Sequence, residues 1–69
     1  MKVQIVYSPD YNEGGPTESF STRLITEFTT DSYEEVESES EVVSLKVEEQ
    51  ISTYVDGKLY ATYYMGRKN

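Results

Sequence analysis

Apolar and polar residues alternate at the start of the chain. Val3, Ile5 and Tyr7 fall on one side, and Lys2 and Gln4 on the other. A period of two predicts a half-buried strand from Lys2 to Ser8. Val6 breaks the alternation and predicts partial burial of both faces. Ser8 to Pro16 holds two prolines and the Gly14-Gly15 pair, which continue neither strand nor helix, so a loop is expected there. In Phe20 to Phe28 the alternation returns, with Phe20, Thr22, Leu24, Thr26 and Phe28 on one face. This second strand should pair with the first as a hairpin across the long loop.

The period changes after Thr30-Asp31. Ser32 followed by Glu35 fits a capping box, and Glu34 and Glu35 suit the positive end of a helix dipole. Tyr33, Val36, Ser40 and Val43 would then share one helical face. A short helix is expected. Glu37-Ser38-Glu39-Ser40-Glu41 also alternates, so an extended form competes with it over residues 32–42.

From Val43 the period of two resumes, through Val43, Leu45, Val47, Ile51, Thr53 and Val55, with Glu49 as the interruption. Asp56-Gly57 is a turn signal, and Leu59, Ala61, Tyr63 and Met65 alternate beyond it. A two-residue loop would pair Val55 with Lys58 and set the two apolar rows on opposite faces. A three-residue loop, Val55-Asp56-Gly57, pairs Tyr54 with Lys58 and Thr53 with Leu59, and puts both rows on one face. Because a one-residue slip turns every side chain over, the longer loop is favoured, with Gly57 at the left-handed position of a bulge. Gly66 to Asn69 reads as a frayed tail.

The expected architecture is α+β: a small antiparallel four-stranded sheet with one short helix, in the order β-β-α-β-β, forming a single domain over residues 1–69. The sheet face away from the helix would carry Tyr54, Tyr60 and Tyr64. It would either be covered by a second copy, as a homodimer, or stand as a tyrosine-rich patch.

Composition narrows the function. The chain has 69 residues and neither Cys nor His. Disulfides and thiolate metal sites are excluded, as are imidazole acid–base and cysteine-nucleophile chemistry. No phosphate-binding or dinucleotide glycine motif occurs, and so small a domain has little room for a water-excluding cleft around paired carboxylates. The chain therefore reads as a binding protein rather than an enzyme, with no cofactor and no dedicated metal site; the Asp-rich calcium-loop pattern is missing. No run approaches the roughly 20 apolar residues that cross a bilayer. No secretory signal pattern is recognised either, so a cytoplasmic location is expected.

Thirteen acidic residues face six basic ones, for a net charge of −7. Such a chain repels nucleic acid and attracts basic protein surfaces. Asp31, Glu34, Glu35, Glu37, Glu39, Glu41, Glu48 and Glu49 crowd into nineteen residues, with Lys46 the one base among them. This is either a solvated face that keeps the protein in solution or a binding surface. On a helix, Glu34, Glu37 and Glu41 form one row, and Glu35 and Glu39 a second. In a strand, Glu37, Glu39 and Glu41 would stand about 6–7 Å apart. Either is a regular array of carboxylates, comparable with the line of charge that a DNA strand presents about every 3.4 Å of axis. Carboxylates also accept bidentate hydrogen bonds from Arg.

In size, charge and layout, and most specifically over Asp31 to Glu49, the chain resembles the small acidic DNA-mimic inhibitors that phages make against host DNA-binding proteins. The resemblance implies competitive occupation of a basic DNA-binding surface in the host bacterial cytoplasm, with the nucleoid-associated protein HU as the favoured target. The eight acids would be the partner-binding residues. The competing expectation is a module that docks its tyrosine face on a host factor such as RNA polymerase, since Tyr is enriched at protein interfaces.

Overall fold

A computed structural model describes residues 1–7 and 24–69. The expected loop from Ser8 to Pro16 and the Phe20–Arg23 part of the expected second strand lie outside the described residues. The order is β1 (Lys2–Tyr7), β2 (Leu24–Thr29), α1 (Tyr33–Val47), β3 (Ile51–Val55), β4 (Lys58–Tyr64) and β5 (Arg67–Lys68). The strands form one antiparallel sheet in the order β2-β1-β3-β4-β5. The architecture is the α+β expected, with one very short strand more.

That strand corrects the frayed tail. Tyr64 pairs with Arg67 across Met65-Gly66, and both turn residues have positive φ, 52° and 81°. Two consecutive positive φ values mark a type I′ hairpin turn, whose twist matches that of the strands it joins.

The Asp56-Gly57 turn has the same form. Val55 pairs with Lys58, and Asp56 and Gly57 have φ of 52° and 84°. The expected three-residue loop with a bulge at Gly57 is thus replaced by a two-residue loop. Leu59 stays opposite Tyr54 on the far face, but the rest of the second row rejoins the first, because a correction is made further along. Tyr54 pairs with Leu59 but Thr53 pairs with Ala61, so Tyr60 is an extra residue. A bulge of this kind bends the strand and re-aims its side chains. It returns Ala61 and Tyr63 to the face of Thr53 and Ile51, and it turns Tyr60 to the helix side.

A second shift lies between Ile5 and Val6, whose partners are Thr26 and Leu24. Here Ile25 is the extra residue and packs against the core. Leu24 therefore stands opposite Val6, on the face away from Thr26 and Phe28, where strict alternation put all three together.

The helix runs for fifteen residues, which settles residues 32–42 against the extended alternative. It also absorbs Val43, Leu45 and Val47, which the alternating pattern assigned to a strand. Val36, Ser40, Val43 and Ser44 are its buried positions. Their spacing of three and four residues makes one stripe, whereas the spacing of two selects Leu45, which points outward. Val36 and Val43 join Val3, Ile5, Ile51, Val55 and Tyr63 in the core between helix and sheet. Each fully buried aliphatic side chain of this set contributes about 1.5–3 kcal/mol.

Two serines let the helix lie close to the sheet. The Ser40 hydroxyl donates to the Val36 carbonyl at 2.7 Å and lies 2.7 Å from the Thr53 hydroxyl. Since its own proton goes to Val36, Thr53 is the donor of that second bond. The Ser44 hydroxyl donates to the Glu41 carbonyl at 2.9 Å and accepts the Gly66 N–H at 2.7 Å. Buried hydroxyls of this kind are tolerated because each is bonded.

On the other sheet face Gln4, Val6, Ser52 and Tyr54 are all buried, as the double-sided burial of Val6 requires. The expected patch of Tyr54, Tyr60 and Tyr64 is not assembled. Tyr54 is 3% exposed, Tyr60 faces the helix, and of the three Tyr64 alone is exposed on the far face.

Candidate acidic interface

The helix begins at a cap in which four groups cooperate. The Ser32 hydroxyl accepts the Glu35 N–H at 3.3 Å, as the capping pattern requires. The return bond differs from the expected box. The Glu35 carboxylate accepts the Thr30 hydroxyl, and Thr30 accepts the Ser32 N–H at 3.1 Å. Thr30 is buried and exchanges main-chain bonds with Met1, so the cap ties the helix start to the edge of β1. Glu35 is exposed yet committed to this cap.

At 100° per residue, α1 sorts the acids around its outer surface. Glu34 and Glu41 lie along one flank, about 10 Å apart along the axis. Glu35 and Glu39 lie along the other, about 6 Å apart along it. All four are exposed. A helix with its side chains is about 10–12 Å across, so the two rows run roughly that far apart. The crest between them carries Ser38, Val42 and Leu45.

Glu37 is different. It turns from the crest toward β4, where its carboxylate accepts the Tyr60 hydroxyl at 2.5 Å and meets the Lys68 ammonium at 3.4 Å. Tyr60 in turn stacks on Tyr33 with ring centroids 5.5 Å apart, and Lys68 lies 5.3 Å from the Tyr60 ring centre. The Tyr60 bond, with the Lys68 bond and charge, holds the Glu37 carboxyl below its ordinary value. The same bond, with burial, pushes the Tyr60 phenol up. Glu37 is therefore partnered and partly neutralised, and it leaves the expected Glu34/Glu37/Glu41 row with two free members.

Asp31 precedes the cap, fully exposed and 3.9 Å from the terminal ammonium of Met1. Glu48 closes the helix in the left-handed conformation, φ 57°, where glycine is the usual residue, and its N–H bonds the Ser44 carbonyl at 3.1 Å. Glu49 follows, also exposed. Both sit at the negative end of the helix dipole, opposed in the last turn by Lys46. The structure thus gathers Glu34, Glu35, Glu39 and Glu41 on one helix surface. It sets Asp31 at one end and Glu48 and Glu49 at the other, and takes Glu37 away.

The apolar residues on this surface were not marked as exposed by the alternating pattern. Val42 and Leu45 are exposed, as is Met65 at the β4–β5 turn. A helical wheel carried on to Val47 would have marked Val42 and Leu45, since both fall outside the Val36/Ser40/Val43/Val47 stripe. Met65 gave no signal, because the turn that holds it was not foreseen. The other arrangement missed was the Tyr60–Glu37–Lys68 cluster, which depends on the bulge at Tyr60.

Among the described residues there is no cavity, and no group of three His, Cys, Asp or Glu is placed to hold a metal. No described helix is long and apolar enough to cross a membrane. No family model, no curated protein and no solved structure matches this chain.

Proposed function

We propose that this protein is a DNA mimic whose helix occupies the basic DNA-binding surface of a host protein, most simply HU in the bacterial cytoplasm, and keeps DNA from it. The observation that carries this reading is the pair of exposed acidic rows on α1. They are separated by about the width of a helix, which is close to the roughly 12 Å of a DNA major groove. A protein built to neutralise phosphates with Lys and Arg finds two lines of carboxylates at a comparable spacing, on a rigid element. Binding of this kind is charge-led: fast, screened by salt and competitive with duplex DNA. It needs neither cofactor nor catalytic group.

The tyrosine-docking alternative has less surface to use, since Tyr54 is buried and Tyr60 is engaged by Glu37, leaving Tyr64 exposed on the far face.

The test is displacement of a labelled duplex from purified HU, followed by fluorescence anisotropy. The wild-type protein should release the duplex, less effectively as salt rises. A Glu34→Gln/Glu39→Gln/Glu41→Gln variant removes three exposed charges and no described hydrogen bond. It should inhibit at least tenfold less well at low salt and show a shallower salt dependence. Equal inhibition by the variant, or inhibition indifferent to salt, would refute the mimic.

A further inference from the structure

The crest between the acidic rows is apolar at its C-terminal half. Val42 and Leu45 are 49% and 54% exposed, and Met65, on the neighbouring turn, is 45% exposed. The helix and the turn bring them near one another. Val42 and Leu45 are three residues apart on the helix and so adjoin. Leu45 reaches across to the turn, lying so close to Gly66 that a Cβ there would come within 3.0 Å of it.

Met65 is the unusual member. Its φ of 52° puts a large unbranched side chain in the left-handed region, at the first central position of a type I′ turn. Asn, Asp and Gly are favoured at that position, and an ordinary L-residue is disfavoured there. Burial does not explain the choice, since the side chain is half in solvent. Met is, however, the adaptable residue of binding surfaces. Strained backbone that presents an exposed side chain is a feature of contact sites.

We infer that Val42, Leu45 and Met65 form the apolar centre of the interface, and that its partner is a basic protein surface bearing an exposed apolar side chain among its Arg and Lys residues. This rests on the acidic-interface reading and deepens it. Charge complementarity selects the occupant. Glu41 borders the patch on one side and Glu39 on the other, where Lys46 follows it about two turns on, so an apolar group flanked by cations fits best against the Glu41 side and the Glu39 end. A second copy of this chain does not fit, because a two-fold contact through this crest would bring the acidic flanks of the two helices together. A partner that wedges an apolar side chain into DNA between phosphate-binding cations carries the complementary pattern.

Two synthetic helical peptides of equal positive charge test this. One carries a leucine stripe between two rows of arginine, and the other has serine at the leucine positions. Affinities are read by calorimetry, and the contacted residues by amide chemical shifts. The leucine peptide should bind about tenfold more tightly than the serine peptide, as the partial burial of a few apolar side chains would give. Its shifts should centre on Val42, Leu45 and Met65. Met65→Asn should abolish much of that preference while leaving the fold at least as stable, because Asn accepts the left-handed turn. Leu45→Ser should do the same to the preference. Equal binding of both peptides would overturn the apolar centre and leave the acidic interface standing. Binding of neither peptide, or self-association through this crest, would overturn both.

Discussion

The two hairpins that share β4 have the same turn and hold it by different means. Each is a two-residue loop with positive φ at both central positions. In the first, Asp56-Gly57 is a residue pair that favours the shape by itself. The Asp56 side chain also accepts the Lys2 N–H at 2.8 Å, and its own N–H bonds the Lys2 carbonyl at 2.8 Å. The Gly57 position opens on empty space. In the second, Met65 opposes the turn, and β5 adds two residue pairs. That hairpin is fastened from outside: by the Ser44 hydroxyl on the Gly66 N–H, by Leu45 over Gly66, and by Glu37 reaching Lys68. One turn is encoded locally and the other is imposed by the helix.

Substitutions should separate the two cases. The largest effect is expected at Gly66→Ala. The added Cβ meets Leu45 at 3.0 Å and φ is +81°, so strain and clash together should cost about 2–3 kcal/mol, read by thermal or urea denaturation. Ser44→Ala, which strips the Gly66 N–H of its acceptor, should cost about 1–2 kcal/mol and raise hydrogen exchange in β5 before β3. Gly57→Ala meets no neighbour and should cost about 1 kcal/mol for its backbone alone. If Gly57→Ala proved the more damaging of the two glycine changes, the contrast between the hairpins would fall.

Tyr63 lies between the two turns, fully buried, with a hydroxyl that has no well-formed hydrogen bond among the described residues. Tyr63→Phe should stabilise the protein by about 1 kcal/mol at neutral pH, the order of the cost of an unpaired buried hydroxyl. Burial first, and the nearby Glu37 next, push the Tyr63 phenol up to about 12. A folded-state value above the unfolded value of about 10 means that the unfolded chain loses this proton first. The associated stability is complete below pH 10 and is lost as pH rises from there toward 12. Alkaline unfolding should therefore be shallower in the Phe variant. The opposite sign applies to Glu37: its lowered carboxyl stabilises the fold above the ordinary carboxylate range and ceases to as pH falls. The smallest effect is expected at Met65→Asn, a gain of a few tenths of a kcal/mol from relief of the left-handed backbone. A loss there would show that the Met65 side chain contributes to the fold itself.

The sequence by itself determined the strands at Lys2–Tyr7 and Ile51–Val55, the cap at Ser32, the position of the turn at Asp56-Gly57 though not its length or register, and the acidic character of the middle. Each of these is a local matter: alternation, a side chain three residues from the N–H it caps, a residue pair suited to positive φ, a composition. It also pointed to the acids Glu34, Glu35, Glu39 and Glu41 as one surface once a helix was assumed. What only the tertiary structure decided is everything that depends on register between distant segments. The extra residues Ile25 and Tyr60 turn one stretch of strand over relative to the next. Alternation cannot place such a bulge, because it shifts which face every later residue occupies. From the Tyr60 bulge follow the bond to Glu37 and the loss of that carboxylate from the acidic row. The helix end was undecided for a similar reason. Val43, Leu45 and Val47 satisfy a period of two, and only packing against Ile51 and Tyr63 selects Val43 and turns Leu45 outward. The β4–β5 turn is the plainest case: Gly66 suits its positive φ but Met65 does not, and Ser44 and Leu45 on the helix hold the turn there.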